Sequence, residues 1–74
     1  MERDEKHLFV GKKLGLEEFV IPDFTSVAGQ YVLFGWMKED YPDFNFDLTA
    51  SINNDPKRLI NEAYDFLIKR SENL

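Results

Sequence analysis

Apolar and polar side chains alternate strictly in the second half of the chain, along the nine residues FNFDLTASI from 44 to 52. An alternation with a period of two is typical of a β-strand that has one buried face and one solvated face. We therefore predict a strand over 44–52. Its buried face would consist of the apolar members of the pattern, namely Phe44, Phe46, Leu48, Ala50 and Ile52.

The last part of the chain has a different hydrophobic period. Apolar residues recur there at spacings of three and four, which place them on one face of an α-helix. We predict a helix over about 56–71, with Asp55 as the capping residue and Pro56 in the first turn, where its missing N–H costs nothing. The apolar face of this helix consists of Leu59, Ile60, Ala63, Phe66 and Leu67.

The middle segment 30–38 reads QYVLFGWMK and is rich in residues that favour strands. It also contains Gly35, which weakens a helix. We predict a strand here, followed by a turn over 39–43, so that 30–38 and 44–52 form a β-hairpin.

Two short apolar runs in the first third, 8–10 and 18–21, are predicted to be further strands. A short helix through 12–19 is the alternative, and Gly11 and Gly15 disfavour it. The predicted fold class is α+β. It has an antiparallel sheet of three to four strands, in the order β-β-β-β-α, with the C-terminal helix packed on one face.

One helix can cover only one face of such a sheet, so some large apolar side chains of the middle strand would remain uncovered. Val32, Phe34 and Trp36 point to one side of that strand, and Tyr31, Leu33 and Met37 to the other. Apolar groups that a small domain leaves in water commonly mark an interface. We expect a homodimer through the uncovered face, with the interface drawn from Tyr31, Leu33, Trp36 and Met37.

The chain has 74 residues, 14 of them acidic and 9 basic, with a net charge of −5 and no cysteine. We expect a single domain over 1–74, with a charged and flexible tail at 1–6. The acidic balance disfavours nucleic acid and anionic membranes as partners, because both attract basic surfaces. The absence of cysteine and of a long apolar run predicts a cytoplasmic protein.

The acidic residues also allow a second functional hypothesis. The protein could be an acidic inhibitor, similar to a DNA mimic, that occupies a basic site on a partner protein. The acidic surface would then be formed by Glu39, Asp40, Asp43 and Asp47.

Residues with catalytic or metal-binding potential are few. His7 is the only histidine, and we expect it at the surface or at the start of a strand. The acidic stretch around Pro42 lacks the glycine of a calcium loop. We therefore predict no enzyme activity, no cofactor and no metal, and no family resemblance is strong enough to assign residues a role.

Overall fold

The computed structural model describes residues 4–72, and this part of the chain forms four α-helices and one 3₁₀ helix. No β-strand occurs among the described residues. The predicted α+β fold with an antiparallel sheet is therefore wrong, and the domain is a small helical bundle. Its elements, in chain order, are α1 (Glu5–Lys13), the 3₁₀ helix (Glu18–Val20), α2 (Val27–Asp40), α3 (Leu48–Asn54) and α4 (Arg58–Glu72).

The C-terminal helix is confirmed, since α4 spans Arg58–Glu72 where the sequence predicted about 56–71. The carboxylate of Asp55 accepts a hydrogen bond from the backbone N–H of Lys57 at 3.1 Å. The expected capping residue therefore stabilises the turn that leads into α4. The buried face of the helix has the predicted spacing and consists of Leu59, Ile60, Ala63 and Leu67.

The predicted strand at 30–38 lies inside α2 instead. Ser26 begins this helix, because its hydroxyl accepts a hydrogen bond from the backbone N–H of Gly29 at 2.9 Å. Burial against the other helices outweighs the strand propensity of the aromatic and β-branched residues in the segment. The buried residues recur at helical spacing, and they are Gly29, Gln30, Leu33 and Met37.

The alternating segment 44–52 is divided between two conformations. Residues 44–47 lie outside the helices, and α3 begins after Asp47, whose carboxylate accepts from the backbone N–H of Ala50 at 3.3 Å. The polar Ser51 is fully buried, whereas a strand would have placed it on the solvated face. The alternation therefore does not indicate a strand. It extends over the short non-helical stretch 44–47 and the first residues of α3.

The first third of the chain is also helical, so the predicted strands at 8–10 and 18–21 are wrong. The first run lies in α1, and the second coincides largely with the 3₁₀ helix. Asp4 caps the start of α1, because its side-chain Oδ1 accepts a hydrogen bond from the backbone N–H of His7 at 3.0 Å. This cap was not recognised because Asp4 belongs to a run of charged residues.

The predicted tail at 1–6 is only partly within the structure. Residues 1–3 lie outside the described residues. Asp4 caps α1, and Lys6 in its first turn donates from Nζ to the side-chain oxygen of Asn61 in α4 at 2.8 Å. The second half of the predicted tail is thus held in the fold.

The core is formed where α1 packs on α4, and where α2 packs on both α3 and α4. Gly11 allows α1 to approach the segment before α2, because a Cβ there would lie 2.5 Å from Cδ1 of Ile21. The buried apolar residues are Val10, Ile21, Phe24, Leu33, Met37, Phe44, Leu59, Ile60, Ala63 and Leu67.

None of the helices within 4–72 combines the length and the apolar character that crossing a membrane requires.

Candidate functional site

Over residues 27–35, the side of α2 that faces away from the core is apolar. Val27 is 56% exposed, Tyr31 60% and Val32 39%. Val27 and Tyr31 are four residues apart and therefore share one side of the helix. Together with Val32 and two small exposed neighbours they form a face without any charge, which we call the outer face of α2: Val27, Ala28, Tyr31, Val32 and Gly35.

This outer face makes α2 unusual among the helices of the domain. A helix at the surface of a globular protein normally has one apolar stripe and one polar side. The helix α4 follows this rule, with exposed residues such as Glu62 and Asp65 opposite its buried face. In α2 apolar residues occupy both sides, a pattern that is typical of helices covered on both sides.

Gly35 lies within the outer face and has no internal reason to be glycine. A Cβ at this position would meet no atom within 4 Å. Glycine in a helix interior costs roughly 0.5–1 kcal/mol of stability relative to alanine. The glycine therefore lowers the stability of the single chain and leaves the backbone accessible at an exposed position of the outer face.

A pocket of about 280 Å³ lies at the C-terminal end of α2. Trp36 lines it from α2, and its ring also makes an edge contact with Phe24, with ring centroids 6.3 Å apart. Trp36 follows Val32 of the outer face by four residues, so the two side chains are neighbours on the surface of α2. Apolar and acidic groups both contribute to its lining, which consists of Leu14, Leu16, Trp36, Glu39 and Asp40.

The structure separates the four residues that the sequence suggested for an interface. Leu33 and Met37 are fully buried in the core of the single chain. Trp36 is partly buried and lines the pocket, and only Tyr31 is largely exposed. The sheet face that motivated the prediction is absent, so contact of these residues with a partner stays a prediction, for which Tyr31 is accessible.

The four acidic residues also divide into two pairs. Glu39 and Asp40 are exposed at the pocket, and neither forms an ion pair with another described residue. Asp43 accepts a hydrogen bond from Arg70 at 2.7 Å, and Asp47 caps α3. Only the first pair is therefore fully available to a partner.

His7 is buried, contrary to the expected surface position. Its Nδ1 lies 2.7 Å from Oδ1 of Asp4, and its ring stacks on Phe24 at a centroid distance of 5.5 Å. Its Nε2 lies 3.5 Å from Oδ1 of Asp23 and makes no hydrogen bond among the described residues. The ring thus lies between two carboxylates and connects α1 to the segment that precedes α2.

Hydrogen bonding lowers the pKa of both carboxyl groups beside His7. The pKa of Asp4 lies below its ordinary value of 3.8 chiefly because its side chain bonds to His7. The pKa of Asp23 lies below the same value chiefly because the hydroxyl of Thr25 donates to it at 2.6 Å, assisted by the Thr25 backbone N–H. These bonds hold together the start of α1 and the segment that precedes α2.

No cluster of three or more histidine and acidic side chains suited to a metal ion occurs within residues 4–72.

Comparison with family models, with curated proteins and with solved structures found no match to this chain. The surface features available to a partner are the outer face of α2 and the pocket beside it.

Several members of both features were not expected from the sequence. Val27, Ala28 and Gly35 were not considered for an interface, and Leu14 and Leu16 were not considered for a pocket. A helical reading of 27–40 would have revealed the outer face, since Val27, Tyr31 and Gly35 follow one another at intervals of four. The pocket has no comparable signal, because its residues come from separate parts of the chain.

Proposed function

We propose that this protein is a non-enzymatic protein-interaction module that forms a homodimer through the outer face of α2. The observation that carries the proposal is the uncharged, apolar side that α2 exposes to solvent, with Tyr31 at 60% and Val27 at 56% exposure. Tyrosine and other large apolar side chains are enriched in interface cores. Burial of this face would also enlarge the apolar core of a chain of only 74 residues.

Charge supports a second copy of the chain as the partner. Each copy has a net charge of −5, so two copies repel one another over most orientations. The outer face of α2 has no charged member, and it is therefore a side on which two identical acidic molecules can meet. A two-fold axis near Tyr31 would place each apolar face against its copy.

Gly35 supports the same arrangement. Its missing side chain would allow the α2 helices of two copies to approach closely, and this contact would offset the cost of glycine in a helix. We place this module in the cytoplasm, since the chain has no cysteine for disulfide formation in an oxidising compartment.

The test is the solution mass by light scattering after size exclusion, over a range of protein concentrations. We expect a species of twice the chain mass of 8.7 kDa. The variant Tyr31→Glu should be a folded monomer, because it places a charge in the centre of the apolar contact. The matched control is Phe19→Glu, which introduces the same charge at an aromatic residue that is 80% exposed in the 3₁₀ helix, outside the outer face.

The control variant should remain dimeric, and circular dichroism should show the same helix content for all three proteins. A wild-type monomer throughout the concentration range would overturn the proposal. A dimer that persists in Tyr31→Glu would show that the copies meet on another surface.

A further inference from the structure

The pocket at the end of α2 is lined by one tryptophan, two leucines and two acidic residues. Its volume of about 280 Å³ is near the lower limit of small-molecule sites, which span roughly 300–1,000 Å³. A space of this size suits one inserted side chain better than a cofactor. We propose that this pocket receives an arginine side chain from another protein.

The electrostatics of the pocket favour a cationic occupant. Glu39 and Asp40 are the last two residues of α2, so their carboxylates lie at the negative end of the helix dipole. The two carboxylates and the end of the helix all contribute a negative potential. Neither carboxylate forms an ion pair with another described residue. A cation placed there interacts favourably with all three sources of negative potential.

The nearest basic residue along α2 is directed elsewhere. Lys38 donates from Nζ to the backbone carbonyl of Pro42 at 3.0 Å and to that of Phe44 at 2.9 Å. It thereby stabilises the segment after α2, and Glu39 and Asp40 have no ion-pair partner among residues 4–72.

The remaining lining fits arginine more closely than lysine. A guanidinium group is planar, so it can stack on the ring of Trp36 while it donates two parallel hydrogen bonds to a carboxylate. Its aliphatic stem can pack against Leu14 and Leu16. A lysine ammonium would keep the charge interaction but lose the stacking and the paired hydrogen bonds.

The test uses the fluorescence of Trp36, the only tryptophan of the chain, during titration with a hexa-arginine peptide at low salt. We expect a saturable change in emission, and weaker binding of hexa-lysine. The double variant Glu39→Gln/Asp40→Asn should bind hexa-arginine at least tenfold more weakly than the wild type. Its matched control is Glu62→Gln/Asp65→Asn, which removes the same charge from exposed positions of α4.

The control should bind as the wild type does, and circular dichroism should confirm that both double variants are folded. If both double variants bound hexa-arginine equally weakly, the peptide would be attracted by the overall acidic charge of the protein. That result would overturn the proposed arginine site. Absence of a saturable change would overturn it as well, and equal binding of hexa-lysine would overturn the assignment to arginine. The inference does not rest on dimer formation, so the titration and the light-scattering test can fail independently.

Discussion

The backbone of Gly29 lies directly against the carbonyl oxygen of Asp23, and a Cβ at position 29 would overlap this oxygen. The contact arises where the chain turns into α2. The same carbonyl accepts the hydroxyl of Ser26, the residue that caps the helix. The entry into α2 therefore depends on the absence of a side chain at position 29.

We expect Gly29→Ala to lower the free energy of unfolding by about 3 kcal/mol, because backbone atoms must shift to accept the methyl group. The matched control is Gly35→Ala in the same helix, where a Cβ meets nothing within 4 Å. It should raise the stability of the single chain by about 0.5–1 kcal/mol. Urea denaturation of the three proteins at low concentration measures both changes, and a shift of the same sign in both variants would contradict this account.

The buried hydroxyl of Ser51 in α3 links this helix to α2 and α4. The hydroxyl donates a hydrogen bond to the side-chain oxygen of Gln30 in α2. It accepts one from the backbone N–H of Leu59 in α4 at 3.3 Å. Ser51→Ala leaves these two groups without their partner in the interior, which should cost about 1–3 kcal/mol in the free energy of unfolding.

The control for this substitution is Ser71→Ala, the same change at an exposed position of α4. It should alter the unfolding free energy by less than about 0.5 kcal/mol. Chemical denaturation of both variants provides the comparison. Equal stability of the two would mean that the hydroxyl of Ser51 does not connect the three helices.

The carboxyl groups beside His7 give the domain a defined response to acid. The pKa of Asp4 and that of Asp23 both lie below 3.8 in the folded state, so ionisation of these groups favours folding. Their contribution is fully present above about pH 5 and is lost as the pH falls through the lowered folded-state values. Denaturation curves between neutral and strongly acidic pH should show this loss.

The double variant Asp4→Asn/Asp23→Asn should be less stable than the wild type at neutral pH. Its stability should also fall less steeply below about pH 4, since two protons fewer are taken up on unfolding. A slope identical to that of the wild type would show that other carboxyl groups cause the acid response.

The sequence predicted α4 correctly because this helix has one apolar face and one polar side. Its Leu59, Ala63 and Leu67 recur at a period that no strand can satisfy, and Asp55 marks its beginning. Two of the residues that the sequence suggested for an acidic surface, Glu39 and Asp40, line the pocket, and their contact with a partner stays a prediction.

The sequence failed at α2 for the physical reason that makes this helix a candidate interface. Because α2 is apolar on both sides, its hydrophobic pattern has no clear helical period, and Tyr31, Val32 and Trp36 carry the composition of a strand. The cap at Ser26 was the local signal for a helix start. The strand prediction for 44–52 failed for a different reason. The apolar and polar side chains alternate there by coincidence, across the boundary between 44–47 and α3.

The two proposed surfaces should respond differently to salt. The outer face of α2 has no charged member, so dimer formation should be nearly unchanged between low and moderate ionic strength, or slightly strengthened because screening reduces the repulsion between two acidic copies. Binding of hexa-arginine at Glu39 and Asp40 depends on exposed charges and should weaken strongly over the same range. Light scattering and Trp36 fluorescence at matched salt concentrations separate the two effects. A dimer that dissociates on addition of salt would indicate that charged residues, rather than the apolar face around Tyr31, hold the copies together.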